Sequence, residues 1–158
     1  MENRTNEEFM RMAIRMSIEN VERGGGPFAA LIVRDGELVS TGINSVAEDN
    51  DPTAHAEINA IRTATRKLRR FKLNDCVLFT TCEPCPMCLG AVYWAGIPTI
   101  FFGNSREDAE KYGFDDSHIY KQIDLALDKR QVRFTRILGK EAIEAFNYWD
   151  QKSDKIQY

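Results

Sequence analysis

With 158 residues, the chain has room for one domain of ordinary size but not for a second full one. A content of 43% hydrophobic and 28% charged residues excludes a fibre or a disordered polymer, and a mean hydropathy of -0.41 with no long apolar run excludes a membrane span. Twenty-one Lys and Arg against 24 Asp and Glu leave a net charge of -3, so a small substrate is expected and nucleic acid is not, because a phosphate-backbone binder shows a basic excess. The polar, acidic stretch 1–8 has neither the charged nor the apolar region of a signal peptide, and a cytoplasmic location is expected.

In chain order, Phe9, Met10, Ala13, Ile14, Met16 and Val21 recur at helical spacing and predict an amphipathic helix over 7–21, ended by Gly24-Gly25-Gly26-Pro27. Residues 28–33 read as a buried strand. The Asp35-Gly36 turn signal and the strand-like segment 38–43 then close a β-hairpin. A second helix is expected from Pro52 to about Leu68, a strand over 76–81, a helix over 86–95 and a strand over 99–102. A fifth strand over 132–138 and a terminal helix over 141–151 complete the pattern. Alternating strands and helices after an antiparallel start predict an α/β fold, a three-layer α/β/α sandwich around a mixed five-stranded sheet.

One local basic run, Arg66-Lys67-Leu68-Arg69-Arg70-Phe71-Lys72, could touch phosphates. Its simpler reading is the solvated end of a helix, where the macrodipole favours cations.

The chemistry is expected at Cys82, Cys85 and Cys88, since clustered cysteines in a reducing compartment serve metals or catalysis more often than disulfides. A bare Cys-x-x-Cys also has a redox reading. His55-Ala56-Glu57 upstream and Pro84-Cys85-Pro86-Met87-Cys88 downstream, however, together form the H-x-E…P-C-x-x-C pattern of zinc deaminases. Cys85 and Cys88, three apart at a helix start, can take two corners of a tetrahedron, and His55 supplies a third. The fourth position is then left open, as in catalytic rather than structural zinc sites. Glu57 is the expected proton shuttle and not a ligand. Cys82 at a strand end suits packing, and Cys76 suits a buried small hydrophobe.

On Gly26-Pro27-Phe28, Asn44, the segment from Asn50 to Glu57, the segment from Thr81 to Ala91, Tyr93-Trp94, Gly113-Phe114-Asp115-Asp116-Ser117 and Tyr158, the sequence resembles the cytidine deaminase-like superfamily of zinc deaminases, and within it the guanine deaminases. The resemblance implies a single deaminase domain over 1–158 holding one Zn2+ per subunit. It implies hydrolysis of guanine to xanthine and ammonia by zinc-bound hydroxide attacking C2, with Glu57 shuttling the proton. It places Asn44, Phe28, Ala56 and Trp94 against the purine, with Asp116 acting beside Glu57 by accepting from the amino or amide edge. It further implies a homodimer in which a C-terminal segment of about 140–158 is exchanged and Tyr158 closes the partner's pocket. Ala29-Ala30 departs from the Gly-Ala that this family often carries after Pro-Phe. His118 matches no motif and is expected at the surface.

Bland roles stand beside these. Phe28 and Trp94 could be core residues, Asn44 a turn residue, Asp116 the N-cap of a helix starting at Ser117, and the end of the chain a solvated tail. The alternative activities are deamination of tRNA adenosine, or of guanosine or another base or nucleoside. A zinc-stabilised binding module without catalysis is disfavoured by the presence of Glu57.

Overall fold

A computed structural model describes residues 4–158; residues 1–3, part of the stretch from which location was read, lie outside it. The elements are α1 (Asn6–Glu22), β1 (Ala29–Arg34), β2 (Glu37–Ile43), α2 (Val46–Asp49), α3 (Ala56–Leu68), β3 (Val77–Cys82), α4 (Pro86–Ala95), β4 (Thr99–Asn104), α5 (Arg106–Lys111), α6 (Ser117–Asp124), a 3-10 turn (Leu127–Lys129) and α7 (Gly139–Gln151). The chain divides into two compact units, one ending at Ser117 and one spanning His118–Tyr158.

The first unit is built on a mixed sheet of order β2-β1-β3-β4. β1 runs antiparallel to both β2 and β3, and β3 runs parallel to β4. Asp35 and Gly36 turn the hairpin with φ of 52° and 75°, the two positive values that an Asp-Gly turn supplies at little cost. Strand alternation sends Ala30, Ile32 and Leu78 to one face, where α3 and α4 cover them with Ala56, Ala60, Ala64, Val92 and Ala95. It sends Leu31, Val33 and Phe79 to the other, where Phe9 and Ala13 of α1 pack. This is the expected layering of helix, sheet and helix, and each fully buried Leu or Phe contributes about 1.5–3 kcal/mol to it.

The expected five strands are corrected to four among the described residues, because residues 132–138 form no strand. A period-two apolar pattern becomes a strand only where a neighbour takes up its backbone groups. Here Val132, Phe134, Ile137 and Leu138 are exposed on a segment without a ladder. Within the second unit no residue is buried.

Two boundaries differ in ways that shape the site. α3 begins at Ala56 rather than Pro52, because the Asp51 carboxylate accepts from Thr53 N at 2.8 Å and Thr53 Oγ1 at 2.7 Å and builds a separate turn. On α1 the buried face is Phe9, Ala13, Ser17 and Asn20, while Ile14 and Val21 are exposed.

Candidate metal and catalytic site

Two helix starts converge. His55 occupies the N-cap of α3 and Cys85 the N-cap of α4, both with extended backbone and neither capping its own helix through the side chain. Cap positions that Ser or Asp ordinarily fill are thus given to residues that can bind a metal. Pro86 follows at the first helical position, where its missing N–H is tolerated, and one turn of α4 brings Cys88 beside Cys85. α3 reaches this depth because Gly42 of β2 has no side chain: a Cβ there would lie 2.1 Å from Ala56 O and 2.5 Å from Ala60 N.

His55 Nδ1 lies 3.5 Å from the sulfur of Cys85 and 3.5 Å from that of Cys88, and all three donor atoms fall within 4.8 Å of one another. A tetrahedral zinc with Zn–S of about 2.3 Å and Zn–N of about 2.0–2.1 Å sets sulfur and nitrogen about 3.5 Å apart, so the spacing fits the ion. Two thiols and one imidazole are also the donor chemistry zinc accepts. Cys82 stays out of this cluster. It is buried at the end of β3, its Sγ 3.7 Å from Ser105 O, and burial pushes its thiol up to about 11. Cys76 is fully buried, as expected of a small hydrophobe.

The ionisable groups are strongly perturbed. The Cys88 thiol bonds to Cys85 and, with the His55 contact, holds the Cys85 thiol down to about 4 despite burial. Cys88 itself is raised by that bond, by burial and by the charge of Glu57. His55 is raised above its usual value by the Cys85 contact, against the opposing effect of burial. Glu57, 6% exposed, is raised first by burial and then by the Cys85 charge. Its Oε1 accepts from Thr80 Oγ1 at 3.2 Å and its Oε2 from Cys88 Sγ at 3.5 Å, so the carboxyl reaches the ligand set. A buried carboxyl with a raised pKa, beside a metal site, has the properties of a proton shuttle near neutral pH.

The other expected site residues are placed as follows. Ala56 is fully buried at the start of α3 between His55 and Glu57. Phe28 packs against the α3 side of the core and meets Phe114 edge-on, with centroids 4.9 Å apart at 88°. Asn44 N donates to Phe28 O at 3.0 Å, and its Oδ1 accepts from Val46 N at 3.4 Å. Asp116 is partly buried, and its carboxyl is raised by desolvation and by the negative charge of Cys85, which puts it within electrostatic reach of the ligands. Ser117 N donates to Asp115 Oδ1 at 2.8 Å, a turn bond that Asp115 rather than Asp116 accepts. Trp94 stands 67% exposed on α4, the helix that buries Cys88, Val92 and Ala95. Ala29 and Ala30 are fully buried in β1, with Ala29 N donating to Thr81 Oγ1 at 3.1 Å. Tyr158 ends the second unit, 77% exposed. His118 is exposed, 2.8 Å from Gln131 Oε1.

Three cations of the basic run are tied to their own chain. Lys67 Nζ donates to Val39 O and Lys72 Nζ to Trp94 O, each at 2.9 Å, and Arg70 pairs with Asp75.

Sequence reading missed two residues. Thr80 holds Glu57, and nothing in a strand's alternation announces which side chain its hydroxyl meets. Asn20, 3% exposed, donates at 2.8 Å to both Gly26 O and Asn44 O and ties the two segments that carry Phe28 and Asn44. The signal that could find it is its core-facing helical position, where a polar residue needs a built partner, although hydropathy alone passes it over.

Sheet, helix starts and ligand spacing define a zinc-dependent deaminase, and residues 3–104 match the cytidine and deoxycytidylate deaminase zinc-binding region; the chain belongs to that family. It is 45% identical over 153 residues to the guanine deaminase of Bacillus subtilis (strain 168), covering 96% of this chain and 98% of that protein. The X-ray structure of guanine deaminase from Bacillus subtilis matches with a TM-score of 0.95 and 44% identity over 98% of this chain and 99% of that one. A tRNA-specific adenosine deaminase of Buchnera aphidicola subsp. Schizaphis graminum (strain Sg) is 34% identical over 128 residues, 81% of this chain and 82% of that protein. Zinc is the metal of this family's site, and His55, Cys85 and Cys88 form the cluster that could hold it.

Proposed function

We propose that the protein deaminates guanine to xanthine and ammonia. The observation that carries this is the 45% likeness to a guanine deaminase over 96% of the chain, which reaches past the family region ending at residue 104 and takes in the segment of Asp116. When bound, zinc supplies the Lewis acidity that makes a water molecule acidic near neutral pH. Glu57 takes a proton from the attacking water and passes it to N3, then takes the second proton from the oxygen now on C2 and delivers it to the departing amine. A C2–O bond forms and the C2–N bond to the amino group breaks, with ammonia leaving. Asp116 accepts from the N1 and N2 hydrogens of guanine, a donor pair that adenine lacks. Asn44 bonds the purine edge, Phe28 and Trp94 wall the ring, and Ala56 lies against it.

The protein works as a homodimer with residues of about 140–158 exchanged, so that Tyr158 of the partner subunit closes each pocket and the chain is one deaminase domain in function. Supporting this, no residue of the second unit is buried, and Ile143 and Phe146 of α7 are exposed. β4, bonded on one side to β3, likewise leaves Phe101 and Phe102 exposed. Among the described residues no helix is long and apolar enough to cross a membrane, and all four cysteines are free, which suits a reducing cytoplasm.

The relative acting on tRNA adenosine favours a second reading, deamination of an RNA base. Against it stand the net charge of -3 and a basic run in which Lys67, Arg70 and Lys72 bond to their own chain. Ammonia release by zinc-quantified protein from guanine, guanosine, adenine, cytosine and a tRNA anticodon stem-loop, measured side by side, decides between them. Release from guanine alone is expected; release only from the stem-loop moves the function to RNA editing.

A further inference from the structure

We propose that Thr80 is a positioning residue for the proton shuttle, holding one oxygen of Glu57 on the sheet so that the other stays directed at the metal ligands. This rests on Glu57 acting as the shuttle. Thr80 lies in β3, between β1 and β4, and is 1% exposed. Its ladder partners are Ala30 on β1 and Phe102 on β4. Strand alternation puts its side chain on the face of Leu78, within the apolar cluster that α3 covers. A hydroxyl buried in such a place costs free energy unless it is bonded, and here it donates to Glu57 Oε1 at 3.2 Å. Oε2 faces the other way, 3.5 Å from Cys88 Sγ. The two oxygens therefore have separate tasks: Oε1 anchors the group to a rigid strand, and Oε2 receives and delivers the proton.

A shuttle needs this division. Proton transfer to two different atoms of the reacting pair demands a carboxyl whose working oxygen stays in line through both transfers, and misplacement by about 1 Å can slow a reaction roughly 100-fold. α3 carries Glu57 only one residue past the first helical position, so the helix fixes its backbone but leaves its side-chain torsions free. Thr80 removes that freedom from a different element.

Thr80→Val keeps the volume and the β-branch of the strand residue while deleting the hydroxyl, and Thr80→Ser keeps the hydroxyl while deleting the methyl. In zinc-loaded protein, Thr80→Val should lower kcat for guanine about 10- to 100-fold. KM, zinc per chain and the affinity for xanthine measured by calorimetry should stay within twofold of wild type. Thr80→Ser should recover most of kcat. The infrared carboxyl stretch of Glu57, assigned by subtracting the Glu57→Gln spectrum, should shift in Thr80→Val and return in Thr80→Ser. Unchanged kcat in Thr80→Val overturns the proposal, as does a parallel loss of zinc or xanthine binding, which marks a merely structural residue. If wild-type protein releases no ammonia from guanine, the substrate assignment fails separately, and the infrared shift still decides whether Thr80 holds Glu57.

Discussion

Up to Ser117, the chain buries two apolar clusters, closes a ladder of four strands and sets the donor atoms of His55, Cys85 and Cys88 within 4.8 Å of one another; from His118 to Tyr158 it forms helices in which no residue is buried. Both regions carry apolar residues at regular spacing, so the difference lies in what covers them. Ala56, Ala60 and Ala64 find Gly42 and the sheet beneath, whereas Ile143 and Phe146 find nothing in their own unit. A region that stores its chemistry must be rigid before substrate arrives, and under the proposed exchange the other unit would be completed by a second copy of the chain.

The contrast can be broken at several points. Removing zinc with a chelator should abolish turnover and lower Tm, because the ligands join α3 to α4; turnover by metal-free protein would place the chemistry elsewhere. Glu57→Gln should lower kcat about 100- to 10,000-fold with zinc retained, as measured by single-turnover kinetics and metal analysis. If α7 packs against a second copy as proposed, Phe146→Asp should shift the mass seen by light scattering from dimer towards monomer and cut kcat/KM at least roughly tenfold, since a charge would then be carried into that apolar contact. Unchanged mass would remove α7 from the interface. Asp116→Asn should cost about 10- to 150-fold in kcat/KM for guanine, the worth of a hydrogen bond to a charged group at about 1.5–3 kcal/mol.

The smallest effect belongs to a cap. Thr5 and Glu8 form a reciprocal capping box at the start of α1, so Thr5→Ala should lower stability by about 1 kcal/mol in denaturant unfolding and leave turnover alone. Glu8 is held below its usual 4.5 chiefly by the bond from Thr5 N. A depressed carboxyl stabilises the fold above its unfolded pKa, so this contribution is present at neutral pH and fades as the pH falls below 4.5 through the folded value.

How far the site could be read in advance follows from the same physics. That His55, Cys85 and Cys88 come together was legible because zinc accepts few donor types and the helix starts fix their spacing, and Glu57 follows His55 by two residues. Asp35-Gly36 was legible because the turn needs two positive φ values. Ser17 and Asn20 were not counted as core, since hydropathy takes no account of partners such as Gly26 O and Asn44 O. The segment 132–138 carried a strand's alternation, but pairing is a property of two segments and its sequence contains only one. The short α5 offered Ser105 and Asp108, which form a reciprocal cap, yet six residues gave too little periodicity to find it.

Mixed protomers test the division of labour most directly. One protomer would carry Glu57→Gln and an intact tail, the other an intact Glu57 and no Tyr158, with each parent measured alone. If chemistry resides in one unit and closure comes from the partner's tail, each mixed dimer regains one complete pocket. Guanine turnover should then rise well above the sum of the two parents after subunit exchange. Turnover equal to that sum, in a preparation shown to contain mixed dimers, would contradict it.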